Sequence, residues 1–283
     1  MIPPVDKREA FKTIATDLAR GELAFPTSAR VAMKVRQALD DPECHIEAAV
    51  KLVQAEPLLS ARVVAMANSA SYNRSRQEIT DVRTSVLRLG FGTVRLLASA
   101  LVTRQLSGGE AGHANQKVAA QLWEHTAHVA ALARVIAQRV TNVDPETAMF
   151  AGIVHEVGGF YLLSRAKDFP GLLDDDFEDW VEAGEADVGR AVLKVLDVPG
   201  PVLAAIQEYW DGQLKTPPCT LGDTLLLCDA LAPVASPLRE IGSRKRGGDL
   251  NARVDQAIGD ETLIRILDES ADEVGSLTAA LSC

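Results

Sequence analysis

Apolar residues recur along this chain at three- and four-residue steps, the spacing that lines one face of an α-helix, and no stretch sustains the alternation of a half-buried strand. Residues 5–20 place Phe11, Ile14, Ala15 and Leu18 on one face behind Asp6, whose carboxylate suits a helix N-cap. From Thr27 the pattern repeats with Val31, Val35 and Leu39. His45–Gln54 and Pro57–Ala67 read as short helices, the second with proline in its first turn, where the missing N–H costs nothing. Asp81–Leu89 stops at Gly90, and a longer helix runs from about Thr93 to Leu106.

The segment SGGEAGHANQ, residues 107–116, is rich in glycine and small polar residues and is read as a loop between two lobes. Beyond it, Val118, Leu122, His125, Val129, Leu132, Ile136 and Val140 form the strongest helical face in the chain. A helix from Pro145 to about Val157 is expected to stop at Gly158 and Gly159. Further helices are expected over 174–182, 185–196, 200–210 and 221–231, then a loop over 237–250 and helices near 250–258 and 260–281. The predicted fold is therefore all-α, a two-lobed helical bundle. Residues 1–106 form its N-terminal lobe, 107–116 the connection, and 117–283 a second lobe with a helical tail.

Composition narrows the function classes. A net charge of −10, from 29 Lys and Arg against 39 Asp and Glu, disfavours a nucleic-acid partner unless a local basic patch overrides it. The compact basic run Arg244, Lys245, Arg246 lies between Gly242 and the pair Gly247 and Gly248, and reads as a solvated turn. Cys44, Cys219, Cys228 and Cys283 lack paired spacing, which fits reduced thiols. The N-terminus carries no signal pattern and no apolar run reaches membrane-spanning length, so a cytoplasmic protein without a membrane partner is expected.

Among the five histidines, His45 and His113 stand in polar surroundings, and His128 lies at the edge of its helix's apolar face. His125 falls inside the apolar stripe of its helix, His155 ends the run AGIVHEVGG with Glu156 beside it, and Asp229 interrupts the apolar run LLLCDALA. A carboxylate in such a run must be paired, protonated or metal-bound, because an isolated buried charge is costly. Two imidazoles and two carboxylates from separate helices either hold one divalent metal or satisfy one another as a buried polar network.

At these residues the chain resembles the HD superfamily of phosphohydrolases. LWEHTAHVAALA, AGIVHEVGG and CDALA look like its ligand-bearing helices, with His125, His155 and Asp229 at matching positions and Glu156 where the superfamily has Asp. The N-terminal half, from FPTSARVAMKVRQALDDPECHIEAAVKLVQAEPLLSARVVAMANSASYN through ITDVRTSVLRLGFGTVRLLASALVTR, is similar to HDOD domains, and the resemblance covers roughly residues 20–213.

The departures bear on function. Glu156 is longer than the expected Asp by one methylene, Gly159 replaces a lysine, Glu185 stands before Val188 and Gly189 where a histidine is common, and Tyr209 and Trp210 replace two histidines. The resemblance thus implies a degenerate site without catalytic residues. The expected protein is a regulatory output module of bacterial signal transduction that binds a signalling partner, with the surface between the lobes as its recognition site. No cofactor is expected in that reading. The alternatives are a metal-dependent phosphohydrolase with one divalent ion and a non-catalytic nucleotide sensor. For a nucleotide, Arg62, Arg83, Arg95 and Arg104 are candidate phosphate contacts, with weak surface salt bridges as the plainer reading.

Overall fold

The computed structural model describes residues 6–20, 27–106, 113–173, 179–212, 214–238, 256 and 261–282. Among the described residues there are twelve α-helices and no strand. They are α1 (Lys7–Ala19), α2 (Thr27–Asp40), α3 (Ile46–Gln54), α4 (Pro57–Asn68), α5 (Val82–Leu106) and α6 (His113–Ile136). There follow α7 (Pro145–Val154), α8 (Val157–Arg165), α9 (Glu185–Val195), α10 (Gly200–Asp211), α11 (Leu221–Leu231) and α12 (Glu261–Ser282). The run Arg244–Arg246, Cys283 and most of the 107–116 and 237–250 loops lie outside the described residues, as does the side chain of His113.

Local chemistry accounts for the helix boundaries. Asp6 caps α1 by accepting from the Glu9 amide at 3.2 Å, and Asp144 caps α7 by accepting from the Thr147 amide at 2.7 Å. Gly90 does interrupt α5: at φ 75° and ψ 164° it kinks the helix, in a backbone conformation that glycine adopts without steric cost. The connection expected over 107–116 is shorter than its composition indicated, since α6 already begins at His113. Beyond Gly112 the sequence His-Ala-Asn-Gln holds no helix breaker.

Two sequence expectations are corrected. Gly158 and Gly159 do not end the fold's seventh helix; they form the first turn of α8, which runs on to Arg165. Their missing side chains permit close packing. A Cβ at Gly158 would lie 2.7 Å from the Gly189 Cα on α9, and one at Gly159 would collide with the Leu238 side chain. The second correction concerns α5, which is long and apolar enough by length and composition to cross a membrane. Of its most apolar stretch, 67% is buried inside the molecule against neighbouring helices.

Buried apolar side chains form one continuous cluster reaching from Phe11 on α1 to Leu281 on α12. α6 runs through it and packs against α7, α8, α11 and α12, while α5 packs against α2, α3, α4, α7 and α8. Among the described residues α1 makes its main contacts away from α2, its neighbour in sequence. It packs against α9 and the π-helical turn Trp180–Gly184, with Phe11 edge-on to Trp180 at 5.5 Å. An Arg134 cluster ties the ends together. Its guanidinium reaches Glu146 on α7 at 3.1 Å and Glu273 on α12 at 3.0 Å, and lies over the Tyr72 ring. Burial, and then the Glu146 charge, push the Tyr72 hydroxyl up to about 12.

Candidate functional site

Three helices and one loop converge on the polar cluster. His125 projects from the middle of α6, His155 closes α7, Glu156 occupies the corner before α8, and Asp229 lies near the end of α11. His125, His155 and Glu156 are buried, whereas Asp229 sits at the rim with 23% of its side chain exposed. The four residues singled out in the sequence therefore do meet. The run LLLCDALA overstated how deep Asp229 lies, because its last turn approaches the surface.

Each imidazole is oriented by a backbone carbonyl. His125 Nδ1 donates to the Val234 carbonyl at 2.8 Å, and His155 Nδ1 donates to the Gly152 carbonyl at 2.7 Å. A nitrogen that close to a carbonyl oxygen must carry the proton, which leaves both Nε2 atoms facing the carboxylates. His125 Nε2 lies 3.2 Å from Asp229 Oδ1 and 3.7 Å from Glu156 Oε2, and His155 Nε2 lies 4.0 Å from Glu156 Oε2. Burial alone would lower the basicity of His125. The Glu156 charge, the Asp229 hydrogen bond and the Val234 carbonyl outweigh it and raise the imidazole to about 9.

Three members of the cluster were not named as ligands or partners from sequence. Tyr209, noted there only as a replacement for histidine, donates its hydroxyl to Asp229 Oδ1 at 3.2 Å and packs edge-on against His155 with ring centroids 5.3 Å apart. Ser236 donates to Glu156 Oε1 at 2.6 Å, and Val234 supplies the carbonyl for His125. Ser236 and Val234 belong to the segment after α11, where no periodic pattern marked them. Glu185 is also buried and borders the same space as His155 and Glu156, which is too small to hold a water molecule.

The donor set fits one cation. Among the described residues His125, His155 and Glu156 each offer one ligand atom, all within 4.8 Å of one another. Carbonyl-anchored histidines are the usual partners of such an ion. A second cation fits poorly, because Ser236 takes the other Glu156 oxygen and Tyr209 shares the Asp229 oxygen that faces His125.

The other singled-out residues fall elsewhere. His45 is exposed at the start of α3, and His128 Nδ1 lies 2.9 Å from the Glu124 carbonyl. Arg83 pairs with Glu47 at 3.0 Å and Arg95 with Asp40 at 2.6 Å, as ordinary surface ion pairs. Arg62 departs from the helix-surface expectation. It is 1% exposed and stacks over Trp123 at 5.4 Å, with Arg104 over the same ring at 5.7 Å. Cys44, Cys219 and Cys228 are free thiols.

The cluster is thus built within an all-helical bundle, from α6, the corner between α7 and α8, and α11, which packs against both α6 and α7. The HDOD domain model matches residues 25–210, and the chain belongs to the HDOD domain family. Among solved structures, a protein from Shewanella amazonensis SB2B provisionally named a metal-dependent phosphohydrolase superposes with TM-score 0.69 at 19% identity, over 97% of this chain and 99% of that one. An HDOD domain protein from Geobacter sulfurreducens gives TM-score 0.59 at 19% identity, over 96% and 97% of the two chains. A Marinobacter aquaeolei VT8 protein provisionally named for signal transduction gives 0.57 at 19% identity, over 98% of this chain and 67% of that one. At these identities the likeness establishes the fold. No curated protein matches the chain in sequence.

Proposed function

We propose that this chain is a non-catalytic regulatory output module of bacterial signal transduction, acting by binding a partner protein through the surface between its N-terminal and C-terminal halves. The carrying observation is that the HD-type cluster is engaged by the protein's own groups. Ser236 occupies one Glu156 oxygen, and Tyr209 and His125 converge on Asp229 Oδ1. Leu238 presses on Gly159 where a side chain would otherwise enter. A hydrolytic centre needs an open coordination position and space for a substrate phosphate. The Glu156 charge and the Asp229 hydrogen bond favour the cationic form of His125 between two carboxylates, an arrangement that stabilises the bundle.

A second reading follows from the same donor set. His125, His155 and Glu156 would hold a single divalent ion, which when bound would acidify a water for phosphoester hydrolysis. Elemental analysis of the purified, tag-free protein, beside turnover of a generic phosphodiester with manganese or magnesium, separates the two. The regulatory reading expects substoichiometric metal, no turnover, and a His155→Ala variant that is destabilised. One equivalent of metal that His155→Ala removes together with turnover would establish the enzyme instead.

A further inference from the structure

Away from the polar cluster, a cleft of about 470 Å³ opens where α2, α5, α7 and α10 meet. That volume lies in the range of small-molecule sites. Leu96, Phe150 and Val202 supply apolar wall, and Arg36, Arg95 and Ser99 supply polar groups.

Most polar groups on its lining are already committed. Arg95 holds Asp40 at 2.6 Å, Ser99 donates to the Arg95 carbonyl at 3.0 Å, and Asp144 caps α7. Glu146 is bound by Arg134 and by the Tyr72 hydroxyl. Arg36 differs. It is half-buried, and among the described residues its guanidinium makes no hydrogen bond or ion pair. Asp40 and Asp197 act on it only through their charge, while burial and the neighbouring Arg95 both disfavour its cationic form. A guanidinium does not lose its proton, so its donors keep their demand for an acceptor.

We propose that this cleft binds a compact organic phosphate carrying a flat apolar ring, the chemistry of a mononucleotide, with the phosphate on Arg36 and the ring against Phe150, Leu96 and Val202. A planar guanidinium recognises a phosphate by paired hydrogen bonds, and the charge-assisted bonds formed in a half-buried site are among the stronger ones available. The three apolar side chains offer a surface suited to a ring rather than to a second charge. This site goes beyond partner recognition and does not depend on whether the histidine cluster holds a metal.

Gly92 provides an independent handle. It lines the cleft on α5, and a Cβ built there meets nothing within 4 Å. Gly92→Leu therefore fills the cleft while favouring the helix, since glycine is a weak helix former. Arg36→Met keeps most of the apolar stem and removes the charge.

The test is calorimetric titration of the full chain with 5′-AMP and, separately, adenosine, for the native protein, Arg36→Met and Gly92→Leu, with thermal melts confirming that both variants fold. The expected result is saturable 5′-AMP binding that exceeds adenosine binding by about tenfold, the value of one charge-assisted bond or slightly less. Arg36→Met should erase that difference, and Gly92→Leu should abolish binding of both. The proposal is overturned if 5′-AMP fails to saturate in the millimolar range. It is equally overturned if adenosine binds as tightly, or if either variant binds 5′-AMP as the native protein does.

Discussion

Ser236, on the segment after α11, donates its hydroxyl to Glu156 Oε1 at 2.6 Å across 80 positions of sequence. Both side chains are buried, so the bond satisfies a carboxylate oxygen that has little water to turn to. Ser236→Ala removes the donor and leaves that oxygen short of a partner, at an expected cost of about 1–3 kcal/mol. Urea unfolding of the two proteins measures it. An unchanged midpoint would mean that water reaches Glu156 by another route.

The glycine pair opening α8 separates backbone from side-chain crowding. A Cβ at Gly158 meets the Gly189 backbone, with its Cα at 2.7 Å and its amide nitrogen at 2.9 Å, so a whole helix must move. At Gly159 the obstacle is the end of the Leu238 side chain, which can turn aside. Gly158→Ala should cost about 3 kcal/mol and Gly159→Ala about 1 kcal/mol. Thermal denaturation of the two variants checks the order, and Leu238→Ala should offset only the second.

The raised basicity of His125 makes stability depend on pH in a definite sense. A group whose folded value stands above its unfolded value of 6.5 contributes stability that is complete below 6.5 and is lost as pH rises through about 9. Chelator-treated protein should therefore show a urea midpoint that falls across that window. His125→Gln, which does not titrate, should flatten this part of the profile. A native midpoint that holds constant there would argue that His125 stays neutral.

Asp223 gives the opposite dependence. Burial disfavours its charge, but amides of Cys219, Lys215 and Thr220 donate to it at 2.9 Å each and hold its carboxyl below the usual carboxylate range. Its stabilisation is present above the unfolded value and is lost as pH falls through the depressed one. Asp223→Ala removes the α11 capping box as well, and should cost about 2–3 kcal/mol near neutral pH. The loss should shrink in acid, as denaturant titrations at successive pH values would show.

Arg134 is the joint between α6, α7 and α12. Replacing it with Met leaves Glu146, beside the Tyr72 hydroxyl, and Glu273 without their shared cation, and about 2–4 kcal/mol of stability should go with it. Hydrogen exchange would show where the loss falls. The amides of α12 should lose protection first, because that helix is held at its middle by Glu273, where Ser71 also donates at 2.8 Å.

Periodicity and capping chemistry are local, and for that reason the sequence alone determined the helical class, the Asp6 cap, the break at Gly90 and most helix boundaries. The same holds for His125, His155, Glu156 and Asp229, because polar residues inside apolar runs are conspicuous wherever the chain later goes. Packing is not local. Whether Gly158 and Gly159 end a helix or begin one depends on α9 and Leu238 arriving against them, and nothing in AGIVHEVGG records that approach. Val234 and Ser236 carry no periodic signature, and only the path of the chain after α11 brings them onto the cluster. The Arg36 cleft likewise joins residues from four helices, and it exists only once those helices have packed. Which groups had to be satisfied was already written in their local surroundings; tertiary structure decided which distant atoms satisfy them, because hydrogen bonds and close contacts act over a few ångströms in space and take no account of distance along the chain.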